Sequence, residues 1–594
     1  MISRREFIGA ATVVAGGVIW GGILQGAEGG DVVATTSRAK LVPLGYDQVK
    51  ITGGPLKAQQ ERIFALYRSL DTDRLLKVYR QWVGMPAPGN DMGGWYDQNG
   101  FAPGHALGQI TSGLSRFVKN TGDAAGKEKV RQIVKAFAET LSAEKSFLQG
   151  NRFPAYIFDK MVIGLVDAHR FAGNPEALDV LAKWVEKSKK HLPEKALTRK
   201  EMAERPHKDV TFTWDESYTL PEYLFIAAEV TGEKAYAEMA KRYLHDKPYF
   251  DPLSRGENVL PGNHAYSHFN CLSSGAKAYL ATGDEKYLRA VTFAWNTINT
   301  TQRYASGGWG PNEAFVEPGK GTLGEMLEKT HNHFETPCGA LAEFKLGRYL
   351  LSATGEANYA DPMERMLYNG ILAIKDPKED GSAFYYSDYH EGARKNYHPE
   401  KWPCCAGSLP QVVADYTVSL YMRDDRGIAV CLFAPSEVKW EQGGVPVEMV
   451  CETAYPKEGE VRLTVKPARE TKFVVRLREP GWAEGKGAVE VNGLTVPAKK
   501  RAGFVEVERE WKAGDRVRWT LPMEWRQEKV DEQHENMVAL VRGPVLMVGV
   551  SEGVKAPQGV GDELLKEAKG LGMVRFKPFY EVGEETYVTY MRKA

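Results

Sequence analysis

A three-residue phrase, Thr-Gly followed by an acidic residue, returns at intervals in this chain: Thr121-Gly122-Asp123, Thr231-Gly232-Glu233, Thr282-Gly283-Asp284 and Thr354-Gly355-Glu356. Gly173-Asn174 stands in a gap of the series. Each phrase follows one stretch with helical apolar spacing and precedes another, as residues 220–230 and 235–243 do around the second. Glycine takes the left-handed position that ends a helix, and the acidic residue suits the positive N-terminus of the next. Helix pairs repeating every ~50–70 residues cannot bury their apolar faces singly, so they stack on their neighbours. The pattern predicts a closed (α/α)6 toroid over residues 37–425, within which the helical spacing runs from Leu56 to Tyr421. The alternative is a non-repeating helical domain with ordinary glycine turns.

Near Asp424-Asp425-Arg426-Gly427 the character changes. Segments 428–433, 461–465, 472–477, 488–491, 504–507 and 517–521 are β-rich and punctuated by Gly, Pro, Asn and Asp. Residues 537–550 read as two strands divided by Arg542-Gly543-Pro544. Residues 551–572 are charged and loop-like, and 585–590 are strand-like. Short strands so spaced predict β-sandwich structure over 426–594, making the chain a multidomain α+β protein.

The N-terminus carries Ser3-Arg4-Arg5-Glu6-Phe7-Ile8-Gly9 before an apolar, Gly/Ala-rich run from Ala10 to Leu24. This is the form of a twin-arginine export signal, taken here as residues 1–36, and it predicts a periplasmic or secreted protein. The run is short and glycine-rich for a membrane span, with an uncleaved anchor as the alternative. Lys+Arg and Asp+Glu are equal at 77 each, which gives no basic face for nucleic acid. Thirteen Trp residues within an 11% aromatic share suit sugar rings, although Trp is also an ordinary core residue.

Six cysteines are sparse for a disulfide framework in 594 residues, and Cys404-Cys405 are adjacent, a spacing that strains a mutual bridge. Metal ligation or nucleophilic chemistry is the better reading of that pair. Glu335 and Cys338, three apart, would share a helix face. With Cys404 and Cys405 they offer three thiolates and a carboxylate, a tetrahedral zinc shell, and soft sulfur favours Zn2+ over calcium or magnesium. His331 and His333 are alternative ligands. Three buried free cysteines with Glu335 in a salt bridge remain the structural alternative.

At these residues the sequence resembles the β-L-arabinofuranosidase family, glycoside hydrolase family 127. The resemblance is carried by His333-Phe334-Glu335-Thr336-Pro337-Cys338, by Glu364-Arg365-Met366-Leu367-Tyr368-Asn369, by Pro403-Cys404-Cys405 and by Gly310-Pro311-Asn312-Glu313-Ala314-Phe315. Gly104-His105-Ala106-Leu107, His264-Ala265, Leu477-Arg478-Glu479-Pro480-Gly481-Trp482, Val491-Asn492-Gly493 and Val541-Arg542-Gly543-Pro544 extend it over nearly all the chain after residue 60.

The resemblance implies a retaining glycoside hydrolase that releases terminal β-L-arabinofuranose or a related pentose-like sugar from plant-type glycans. It implies Cys404 as nucleophile and Glu313 as acid/base, with Glu335, Cys338, Cys404 and Cys405 holding zinc. His105, His264 and Glu364 would bond sugar hydroxyls, and Tyr385 or Tyr386 would sit by the nucleophile. Two departures stand out. The family spaces its Glu and first Cys with one residue between, where this chain has Thr336-Pro337, and Asp159 stands where relatives carry His before Lys, which would alter contacts to the sugar. Two other functions fit the architecture: a polysaccharide lyase on a toroid, and a non-catalytic carbohydrate-binding protein with structural zinc.

Overall fold

The computed structural model describes residues 38–204, 215–550 and 575–592. The export segment expected over 1–36 and the charged stretch 551–572 lie outside the described residues.

Among the described residues six helices form an inner ring: Leu107–Thr121, Pro154–Arg170, Leu220–Thr231, Ala265–Thr282, Thr336–Thr354 and Cys404–Ala414. Each packs on the next, and the last packs on the first. A helix surrounded on all sides needs no polar face, and these have almost none. Every residue from Pro154 to Ala168 and from Ala265 to Leu280 is buried. Outside the ring, Ala124–Thr140, Ala177–Ser188, Lys234–Arg242, Glu285–Thr301 and Ala360–Met366 each back the inner helix that precedes them. The first described helix, Gly54–Ser69, backs the last inner one, Cys404–Ala414. This is the expected (α/α)6 toroid.

The Thr-Gly-acid phrases join inner to outer helices, and the threonine has a role that glycine spacing alone does not reveal. The hydroxyls of Thr121, Thr231, Thr282 and Thr354 each donate to the carbonyl four residues back, and each accepts the backbone N–H two residues on. Gly283 ends its helix at φ 80°, and Asp284 caps the next through the N–H of Lys286. Glu233 and Glu356 make no such side-chain cap.

Two sheets pack against each other after the toroid. One runs in the order Val42–Pro43, Tyr421–Asp424, Gly427–Val430, Thr471–Arg478, Phe504–Trp511, Lys499–Arg501. The other runs Leu494–Thr495, Ala488–Val491, Asp515–Thr520, Glu460–Pro467, Val445–Thr453, Ser436–Gln442, Val49–Ile51. Trp440 of the second meets Phe473 of the first at 5.7 Å between ring centroids. The strands Val42–Pro43 and Val49–Ile51, which precede the helices, therefore belong to the sandwich, and the helical part runs from Gly54 to Leu420. A third sheet pairs Trp525–Lys529, Met537–Arg542, Val545–Val550 and Arg575–Pro578, with Tyr587–Val588 and Met591–Arg592 alongside. No described helix is long and apolar enough to cross a membrane.

Candidate active site

The N-terminal ends of the inner helices converge on one cavity of about 320 Å³. From successive helices or the residues just before them come Tyr156, Glu216, His264, Glu335 and Cys404, and all five line it. Converging helix N-termini present positive dipole ends and favour anionic groups.

Two helix starts build the thiol cluster. Pro403 caps Cys404–Ala414, so Cys404 and Cys405 occupy its first turn. Glu335 is the N-cap of Thr336–Thr354 and lies on a short strand, not in the helix as the three-residue spacing suggested. Pro337 fits the helix's first turn, where a missing N–H leaves no bond unmade, and Cys338 follows in that same turn. The additional residue between Glu335 and Cys338 is thus absorbed without separating them. A two-strand ribbon pairs Glu335 with Tyr386 and Phe334 with Ser387, tying the cluster to the tyrosines.

Cys338 Sγ lies 3.5 Å from Cys404 Sγ and 3.5 Å from Cys405 Sγ. Glu335 Oε1 is 3.0 Å from Cys404 Sγ and 3.8 Å from Cys405 Sγ. A tetrahedral zinc with bonds of about 2.3 Å to sulfur would set its sulfurs about 3.8 Å apart. The four donor atoms lie within 4.8 Å of one another, and Glu335 Oε2 is buried without a hydrogen bond. Burial is the main cause that pushes all three thiols well above their ordinary range. The donor set fits a soft divalent cation, which would stabilise the thiolates. Of the three cysteines, only Cys404 lines the cavity.

Across the cavity, Glu313 follows Asn312 in a turn where both residues have positive φ, 51° and 60°, a costly conformation for residues with a Cβ. Its Oε1 accepts from the Tyr385 hydroxyl at 3.0 Å and from that of Tyr386. The Tyr385 hydroxyl also stands 3.4 Å from Cys404 Sγ. His264 Nε2 is 3.5 Å from Glu313 Oε2 and 3.9 Å from Glu335 Oε2, while its Nδ1 is 2.8 Å from Glu216 Oε1. Burial works against a charged His264, but hydrogen bonds to Glu216 and Glu313 outweigh it and hold the imidazole up to about 9. Burial likewise works against a charged Glu313, yet bonds from His264, Tyr386 and Tyr385 keep it below the usual carboxylate range. Glu335 is pushed up to about 7 by burial and by the charge of Glu313.

The structure thus brings together Glu313, Glu335, Cys338, Cys404, Cys405, His264, Tyr385 and Tyr386. It sets others apart. His105 is fully buried behind the cavity wall, with Nδ1 on the Ala102 carbonyl. Asp159 does not line the cavity and takes its hydrogen bond from Thr219 at 3.3 Å. Glu364, expected on a sugar hydroxyl, lines a different cavity, where Arg478, Tyr455 and Trp482 hold its carboxylate. His331 pairs with Asp388, and His333 bonds the Met326 carbonyl, so neither joins the thiols. Sequence reasoning missed Glu216 and the aromatic wall of Trp95, Phe101, Tyr156 and Tyr266. Position just before, or in the first turn of, an inner helix is the signal that would have found Glu216 and Tyr156.

A toroid that gathers carboxylates and aromatic faces at the mouths of its inner helices has the build of a carbohydrate-processing protein. Residues 48–418 match the family described as β-L-arabinofuranosidase, GH127 catalytic domain, and residues 427–523 match the GH127 middle domain. The chain belongs to glycoside hydrolase family 127. It is 24% identical over 445 residues to the non-reducing end β-L-arabinofuranosidase of Bifidobacterium longum subsp. longum, covering 66% of this chain and 64% of that protein. The match therefore spans less than two thirds of that relative. Among solved structures, a GH127 β-arabinofuranosidase superposes with TM-score 0.71 at 19% identity, over 94% of this chain and 98% of that one. A GH127 β-L-arabinofuranosidase from Geobacillus stearothermophilus T6 gives 0.67 at 18%, over 92% and 100%.

Proposed function

We propose that the protein is a retaining glycoside hydrolase that releases a terminal neutral pentofuranose, β-L-arabinofuranose or a close relative, with Cys404 as nucleophile and Glu313 as acid/base. One observation carries the reading: Cys404 Sγ and Glu313 Oε1 contact the same Tyr385 hydroxyl, at 3.4 and 3.0 Å, inside one cavity. Laid end to end, those distances stay short of the ~6.5–9.5 Å that parts the two groups of inverting glycosidases.

Glu335, Cys338, Cys404 and Cys405 would hold the zinc, which when bound would keep the Cys404 sulfur as thiolate at neutral pH. Cys404 Sγ forms a bond to the anomeric carbon as the bond to the leaving oxygen breaks. Glu313 delivers a proton to that oxygen, with His264 beside it as the proton's resting place. Glu313 then takes a proton from a water that attacks the same carbon, displacing Cys404 and releasing the sugar with its original configuration. Tyr385 and Tyr386 hold Glu313 in place. Among the described residues no Lys or Arg lines the cavity, whereas Glu216, Glu313 and Glu335 do, which disfavours an acidic sugar.

The test is a panel of aryl glycosides with metal analysis on the same protein. Aryl β-L-arabinofuranoside should be cleaved with retention, read by NMR, in protein carrying about one zinc per chain, and aryl uronides should be inert. An inverted product, full activity in metal-free protein, or an unsaturated ultraviolet-absorbing product would overturn the reading, the last in favour of a lyase.

A further inference from the structure

Four lysines are buried among the described residues: Lys160, Lys277, Lys345 and Lys395. Burying an ammonium is costly unless it is paired, and three of the four are. Lys277 meets Glu229 at 2.6 Å, Lys345 meets Glu222 at 2.6 Å, and Lys395 donates to the carbonyls of Phe579 and Val582 at 2.9 and 2.7 Å. Lys160 has no carboxylate or carbonyl at such range among the described residues. Its Nζ rests 3.3 Å from the ring centroid of Tyr156, one helical turn earlier. Tyr156 lines the cavity alongside Cys404, and Lys160 does not.

The four anionic donors would carry more negative charge than a divalent cation neutralises, and that excess is enclosed in a buried site. We propose that Lys160, seated on the Tyr156 ring, is the counter-cation of the thiolate cluster, a positioning residue that makes a triply thiolate-ligated metal tenable in this toroid. Burial works against the charge of its ammonium and lowers its pKa, while the charges of Asp159 first, then Glu216, Cys338 and Cys404, support it. Helix packing fixes the position. A Cβ on Gly108 would fall 2.0 Å from the Lys160 carbonyl oxygen, so the absence of a side chain there lets the two inner helices cross in contact at Lys160. Since the cation and the loaded cluster stabilise each other, each should tighten the other.

The inference rests on the metal reading above, and the test separates the two. Zinc affinity is measured by competition with a chromophoric chelator, and melting temperature is measured with and without zinc, for wild type, Lys160→Met and Lys160→Arg. Lys160→Met should weaken zinc by about 10–100-fold while leaving the metal-free melting temperature unchanged or raised, because an unpaired buried charge has been removed. Lys160→Arg should restore most of the affinity. Zinc affinity within about twofold of wild type in Lys160→Met would overturn the proposal. So would a metal-free melting temperature that falls in step with affinity, which marks a packing role; Lys160→Gln gives the same reading if methionine disturbs folding. A wild-type protein that binds no zinc would refute the metal reading itself.

Discussion

Glu313 and Cys404 sit on either side of the Tyr385 hydroxyl, and this placement separates their tasks. Glu313→Gln leaves every proposed metal donor in place. It should slow hydrolysis of glycosides with poor leaving groups by about 10²–10⁴-fold, and it should slow activated aryl glycosides much less in their first step. Steady-state rates across a series of leaving groups would show this as a steeper dependence on leaving-group pKa. A flat series at the wild-type rate would place the acid elsewhere. The thiol cluster was legible in sequence because adjacent cysteines that cannot easily bridge demand another explanation. Glu216 was missed: its place just before an inner helix marked it, but its contact with His264 at 2.8 Å shows only in the structure. Glu364 is the opposite case: its motif was recognisable, but the arginine that pairs with it lies more than a hundred residues downstream.

The inner helices carry the fold's tightest constraint, and their glycines differ in what they do. Gly108 and Gly164 let Leu107–Thr121 and Pro154–Arg170 cross with backbones touching: a Cβ on Gly164 would lie 2.5 Å from the Gly108 carbonyl oxygen. Gly122 sits at φ 71° with nothing within 4 Å of a Cβ placed there. Gly122→Ala should therefore lower unfolding free energy by only about 1 kcal/mol, the strain of a left-handed alanine. Gly108→Ala should lower it by about 3 kcal/mol or more, because backbone must move. Denaturant melts of the two variants check the order, and equal losses would mean that the crossing is less tight than described. The Thr-Gly-acid phrases were readable because a helix end is a local event. The pairing of Val42–Pro43 and Val49–Ile51 with strands some 380 residues later is not local, and no pattern in those five residues announces it.

At the scale of the whole molecule, toroid and sandwich are joined by a buried charge cluster around Arg478. This residue, fully buried on the strand Thr471–Arg478, bonds Asp361 and Glu364 of the outer helix Ala360–Met366 and the Cys431 carbonyl at 2.5 Å. Tyr455 gives Glu364 a further hydrogen bond at 2.6 Å, and Trp482 gives one at 3.1 Å. The family resemblance placed Glu364 on the sugar, whereas the cluster places it on the joint between domains, and the two assignments predict different losses. Removing one partner of a buried pair strands the other charge, so Arg478→Met should lower unfolding free energy by about 3–5 kcal/mol. Combining it with Glu364→Leu should be less damaging than the two single losses added together, because neither charge is then left unpaired. Folded Glu364→Gln protein should melt earlier yet keep the wild-type KM, since the cavity that holds Cys404 and Glu313 does not include residue 364. A raised KM with unchanged melting would return Glu364 to the substrate and make the charge cluster incidental. Additive losses in the double variant would show that Arg478 and Glu364 act independently at the joint.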